Sequence, residues 1–122
     1  PEWRQLRADG TFAQLAASAD MQTVQPGRWR FNSFAHPGYQ DYFEAHLAEI
    51  LDNYPVDGFF IDILFFDEGA CFNEASILKR EKLGLLEDTP ANNARFESLM
   101  QQEFAERFTP FITGRAPKAS VF

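Results

Sequence analysis

The sequence holds one cysteine, Cys71. That excludes an internal disulfide framework and a cysteine-based zinc cage within one chain. No apolar run reaches the roughly 20 residues that a membrane-spanning helix needs. Basic residues are scarce: 11 Lys and Arg stand against 18 Asp and Glu, for a formal net charge of -7. A balance of that sign argues against nucleic acid and against an anionic membrane as partners. There is no glycine-rich phosphate loop, no Gly-x-Ser-x-Gly elbow and no Cys/His pairing in a recognisable context. Asp62, Asp67, Glu68 and His36 are residue types that bind metals, but their spacing matches no known ligand set. No metal or cofactor is therefore expected. No leader segment is legible, and the compartment stays undecided.

What is present is apolar and aromatic material. Of the 122 residues, 45% are hydrophobic and 14 are Phe, enough for a real core. The stretch Tyr54-Pro55-Val56-Asp57-Gly58-Phe59-Phe60-Ile61-Asp62-Ile63-Leu64 organises the reading. Its continuous apolarity is that of a strand buried on both faces in a parallel sheet, expected over about 56–64. Alternation places Phe60, Asp62 and Leu64 on one face and Phe59, Ile61 and Ile63 on the other. A carboxylate in such a strand is costly to bury without a partner.

The flanks support an α/β alternation. Tyr39, Tyr42, Phe43, Leu47, Ile50, Leu51 and Tyr54 recur at helical spacing, predicting a helix over about 39–54 that Pro55 ends. After a loop at 65–73, a short helix is expected over 74–83 with Gly84 as its stop. Thr89 and Pro90 then start a longer helix to about 113, with Pro110 near its end. Phe96, Leu99, Met100, Phe104, Phe108, Phe111 and Ile112 form its apolar stripe. Residues 119–122 read as the opening of another strand. Before residue 28, the turn signals Ala8-Asp9-Gly10 and Gln25-Pro26-Gly27 bound a long loop. The order of elements predicts an α/β fold with a parallel sheet, part of a (β/α)8 barrel. A complete barrel takes about 250 residues, so the expectation is the central strand–helix units in a single partial domain spanning 1–122, a fragment of a longer chain.

Asp62, near the C-terminal end of its expected strand, is the leading catalytic candidate, because barrel chemistry sits at such ends. A carboxylate there suits nucleophilic attack on the anomeric carbon of a sugar. Retaining glycosidases need a second carboxyl group about 5 to 5.5 Å away as acid/base. Asp67 and Glu68 lie on the following loop and are poor candidates for that partner, which is expected from a later strand. The bland reading of Asp62 is a carboxylate paired with Arg or Lys, or one capping backbone amides. The Trp29-Arg30-Phe31-Asn32 cluster suits sugar binding equally as well as plain core packing. His36, in a loop beside the expected pocket, ranks above His46, which lies on the first helix. Cys71 reads as a small buried or loop residue.

Pro1-Glu2-Trp3, Asp9-Gly10, Asn32-Ser33, Gly38-Tyr39-Gln40-Asp41-Tyr42 and Tyr54 through Asp62, in that order, resemble a glycoside hydrolase family catalogued as "hypothetical glycosyl hydrolase six". That family is similar to α-L-fucosidase-like and α-amylase-like TIM barrels. The resemblance implies a (β/α)8 barrel whose fourth strand ends near Asp62, with Asp62 in the nucleophile position. It also implies a substrate groove lined by Trp3, Trp29, Asn32 and the loop after Phe65, which carries Asp67. Relatives carry a cysteine cluster after that strand, whereas this chain has Cys71-Phe72-Asn73-Glu74. The implied partner is an oligosaccharide or glycoside, and the alternative is a non-catalytic carbohydrate-binding or interaction domain. Exposed sheet edges would favour self-association.

Overall fold

A computed structural model describes residues 2–15 and 29–122, with the side chains of 14, 15, 29 and 30 excepted. The turn expected at Gln25-Pro26-Gly27 lies outside those residues. β1 (Gln14–Leu15) and β2 (Trp29–Arg30) pair antiparallel. Helix α1 covers Pro37–Asn53, followed by β3 at Gly58–Phe59 and a 3-10 turn at Asp67–Gly69. Helices α2 (Glu74–Leu83) and α3 (Pro90–Arg115) come next, and β4 at Ser120–Val121 ends the chain.

Each helix begins where its cap residue dictates. His36 Nδ1 accepts the Gly38 amide hydrogen at 3.1 Å, and Pro37 occupies the first helical position of α1. Asn73 Oδ1 accepts from the Ser76 amide at 2.9 Å and Thr89 Oγ1 from the Asn92 amide at 3.2 Å, so two further helix starts are satisfied in the same way. Helix α2 stops at Gly84, whose φ of 68° is a left-handed conformation that a side chain would strain. Helix α3 continues through Pro110, which contributes no N–H to the ladder, as far as Arg115.

Four residues apart along α3, Phe96, Met100, Phe104, Phe108 and Ile112 are all buried and form the spine of the core. Phe34 stacks on Phe66 at 4.6 Å between ring centroids, and Phe104 lies 4.4 Å from Phe108. Aromatic pairs of this kind contribute about 0.5–1.5 kcal/mol each beyond their buried area. Across the surface, Arg107 of α3 donates to Asp41 at 2.7 Å and to Glu44 at 3.0 Å of α1, and Arg115 pairs with Asp52 at 3.0 Å. Both pairs step in the same order along the two helices, so α1 and α3 run in the same sense. The hydrogen bond to Asp41 is the main cause of a raised Arg107 pKa, opposed by burial.

β3 and β4 pair in parallel, Gly58 opposite Ser120 and Phe59 opposite Val121, with α2 and α3 between them in the chain. A strand–helix–parallel strand order is thus present. A Cβ at Gly58 would come within 2.6 Å of the Ser120 carbonyl oxygen, so the close pairing requires glycine there.

The expected (β/α)8 barrel is overturned. Among the described residues the parallel sheet has two strands of two residues each, with three helices, in a chain of 122 residues. That is a small mixed α/β arrangement and too little to close a barrel. The long buried strand expected over 56–64 is corrected as well. Ladder pairing covers 58–59, and the amide of Ile61 adds one bond to the Phe122 carbonyl at 2.9 Å. The run is half-buried at best: Phe60 is 76% exposed and Ile63 59%. Phe59, Ile61 and Leu64 pack against the core, while Phe60, Asp62 and Ile63 are exposed. The alternation breaks at Ile63, whose φ is 64°. That left-handed conformation turns the chain, so Leu64 returns to the core side instead of following Asp62.

Candidate functional site

Residues 59–64 leave β3 as extended chain and face α1 across an open cavity of about 430 Å³. Tyr39, Phe43, His46, Leu47 and Ile50 line it from α1, with Asn32, Phe34 and Phe104 at its other sides. Phe60, Asp62 and Ile63, all three exposed, belong to its lining on the side of the extended chain. The lining is mostly aromatic and aliphatic, with a few polar groups, the composition usual for a small-molecule site. Among the described residues that line it, Asp62 is the only carboxylate.

The Asp62 carboxylate accepts the amide hydrogen of Ile63 at 2.8 Å through Oδ1. Among the described residues no Arg or Lys forms an ion pair with it. Of the two bland readings, the basic partner is not found, and the amide cap is, reduced to a single neighbouring N–H. Among the described residues no hydrogen bond reaches the second oxygen. The neighbouring backbone is strained: a β-branched residue in the left-handed region is a true outlier, with a cost of order 1–3 kcal/mol that the surroundings must offset.

The loop after Asp62 is fixed by side chains rather than by secondary structure. Gln101 Nε2 of α3 donates to the Leu64 carbonyl at 2.6 Å, and Glu97 Oε2, one turn earlier, accepts from the Phe66 amide at 2.7 Å. Gln5, only 1% exposed, donates to the Phe65 carbonyl at 2.8 Å and accepts from the Asp67 amide at 3.0 Å.

The candidate residues divide. Asn32 lines the cavity with Asp62. Trp3 does not: its ring packs against Tyr39 and Tyr42 at 6.3 and 5.5 Å, over the start of α1. His36 is spent as the cap of that helix. Phe65 lies edge-on to Phe31 at 5.4 Å. Asp67 is held by Arg7 at 3.0 Å, which also reaches Glu68. Trp29 belongs to β2, and its side chain lies outside the described residues. His46, ranked below His36 from sequence, is the histidine that lines the cavity. Tyr39 and Phe43 were legible only as the apolar stripe of a helix, and they serve both core and cavity. Burial, and then the neighbouring Tyr42, push the Tyr39 phenol above its usual pKa, so it stays a neutral hydrogen-bonding group.

A second buried polar cluster lies away from the cavity. Arg80 is fully buried and donates to Cys71 Sγ at 2.9 Å, to the Glu87 carbonyl at 3.0 Å and to Asn93 at 3.0 Å. Its guanidinium also lies 4.2 Å over the Phe72 ring. Burial raises the Cys71 thiol to about 11 despite the adjacent cation, which makes it a structural, unreactive sulfur. Among the described residues no group of three or more His, Cys, Asp or Glu is placed to hold a metal ion, and no helix is long and apolar enough to cross a membrane.

No family model, curated protein or solved structure matches the chain. The likeness to a glycoside hydrolase family therefore rests on the residues quoted for it alone.

Proposed function

We propose that the chain is a carbohydrate-active domain of glycoside hydrolase type, in which Asp62 is the nucleophile that attacks the anomeric carbon. The observation that carries this reading is the presence of Asp62 in the lining of an aromatic cavity, beside a strained residue and with its carboxylate accepting one backbone amide hydrogen. Aromatic faces suit the apolar faces of a pyranose ring, and Asn32, His46 and Tyr39 offer hydrogen bonds to its hydroxyl groups. A nucleophilic carboxylate implies the retaining route, with the acid/base carboxyl supplied by a group outside the described cavity lining.

The test is hydrolysis of a panel of nitrophenyl glycosides by wild type and Asp62→Asn. The amide is nearly isosteric but cannot form the glycosyl ester, so the rate falls at least about a thousandfold while glycoside binding persists. Hydrolysis by Asp62→Asn at the wild-type rate would exclude the nucleophile role. The lack of a second carboxylate on the described lining favours one other reading, a binding domain without chemistry. In that case wild type and variant bind glycans alike and neither hydrolyses them.

A further inference from the structure

The geometry points to Gln101 and Glu97 of α3 as positioning residues for Asp62, with Gln5 completing the same clamp. This assignment rests on the reading of Asp62 as the reacting carboxylate, and it adds residues that touch neither the cavity nor a substrate. Gln101 and Glu97 are four apart, so they project from one face of α3 as neighbours. Between them they take the Leu64 carbonyl at 2.6 Å and the Phe66 amide at 2.7 Å. Gln5 takes the Phe65 carbonyl and the Asp67 amide of the same loop. Four consecutive-residue backbone groups thus end on three side chains instead of on a sheet ladder. Residues 64–67 can then sit close to the core with these four groups satisfied.

Fixing Leu64 immediately after the turn has a consequence upstream. The chain enters residue 61 tied to β4 through the Phe122 carbonyl and leaves residue 64 tied to α3 through Gln101. Ile63 lies between these anchors at a φ of 64°, a conformation a β-branched residue does not choose unaided. In that conformation its N–H meets the Asp62 carboxylate at 2.8 Å. The clamp offsets the strain, and the strained residue in turn orients the carboxylate of Asp62, a lining residue of the cavity.

The test uses Gln101→Met, which keeps length and loses the donor, beside Gln101→Lys, which keeps an N–H donor on a chain of similar reach. Amide hydrogen exchange is measured at Ile63, and at Phe104 and Phe108 as monitors of α3. In Gln101→Met the Ile63 amide exchanges at least about tenfold faster while the two helix amides stay as in wild type, and Gln101→Lys restores protection. With the best glycoside substrate, kcat falls about tenfold or more in Gln101→Met, with KM little changed. Unchanged exchange at Ile63, or a rise shared by Phe104 and Phe108, overturns the assignment. The two readings separate cleanly. An Ile63 response together with an active Asp62→Asn keeps the clamp and removes the nucleophile. A silent Ile63 together with an inactive Asp62→Asn does the reverse.

Discussion

Asp62 and Ile63 form a local pair: the carboxylate of the first accepts the amide hydrogen of the second at 2.8 Å, and the second holds a left-handed φ of 64°. Strain of this kind persists where the surroundings over-determine the backbone, and it gathers at functional sites.

A glycine at position 63 should relieve that strain. Ile63 is 59% exposed, so its side chain contributes little burial. Ile63→Gly is expected to be neutral or to stabilise by up to about 1 kcal/mol, the relief of the left-handed conformation outweighing the entropy of glycine in the unfolded chain. Ile61→Gly, which removes a side chain packed on the core, is expected to cost about 2–4 kcal/mol. Urea unfolding of both variants checks this, and an equal loss in the two would contradict the left-handed assignment.

Cys71 makes stability sensitive to alkali. Its folded thiol is raised to about 11 from an ordinary 9.0, burial outweighing the pull of Arg80. Below pH 9 both states keep the proton. Between about pH 9 and 11 the unfolded chain gives it up and the folded chain does not, so stability falls as pH rises through that window, by roughly 2 to 3 kcal/mol at most. The pH dependence of unfolding free energy should therefore be steeper above pH 9 in wild type than in Cys71→Ala. Parallel curves for the two proteins would contradict it. Thiol reagents at pH 8 should label the folded protein only as fast as it opens.

Beside the β3–β4 pairing, Phe60 is 76% and Phe122 75% exposed. The Phe122 amide bonds to the Phe59 carbonyl and its carbonyl to the Ile61 amide, so Phe122 lies opposite Phe60. Sheet edges without a further strand among the described residues, together with exposed aromatics, are an invitation to pair. The expected outcome is self-association of this chain at micromolar concentration, weakened by Phe60→Glu. Sedimentation velocity checks it: a wild-type monomer at all concentrations would contradict it.

Much of the helical scaffold was legible because its signals are local. Thr89-Pro90 and Gly84 mark ends through hydrogen bonds and backbone angles that depend on a few adjacent residues. The parallel order of the strands was legible from the helix content between them. The barrel was not, because sequence alternation states which elements neighbour each other in the chain and not how many strands close a sheet. The strand at 56–64 was overextended because an apolar run carries no mark of where pairing stops. Nothing in Asp62-Ile63-Leu64 announces a left-handed Ile, since its cause lies at Gln101, 37 residues from the carbonyl it holds. Trp3 and His36 were drawn into the site because rings and imidazoles serve cores and caps as readily as pockets. The same ambiguity hid Tyr39 and Phe43 within the helix stripe and ranked His46 below His36.

The most direct measurement is covalent trapping on the native chain with a panel of 2-deoxy-2-fluoroglycosyl fluorides, read by peptide mass spectrometry. Fluoride leaves with the bonding electron pair and needs no general acid, so the nucleophile reacts without its partner: a carboxylate oxygen bonds to the anomeric carbon as the carbon–fluorine bond breaks. The account predicts one added fluoroglycosyl group, on the peptide that carries Asp62, and none in Asp62→Asn. An adduct on a different carboxylate, or no adduct with any member of the panel, would contradict it.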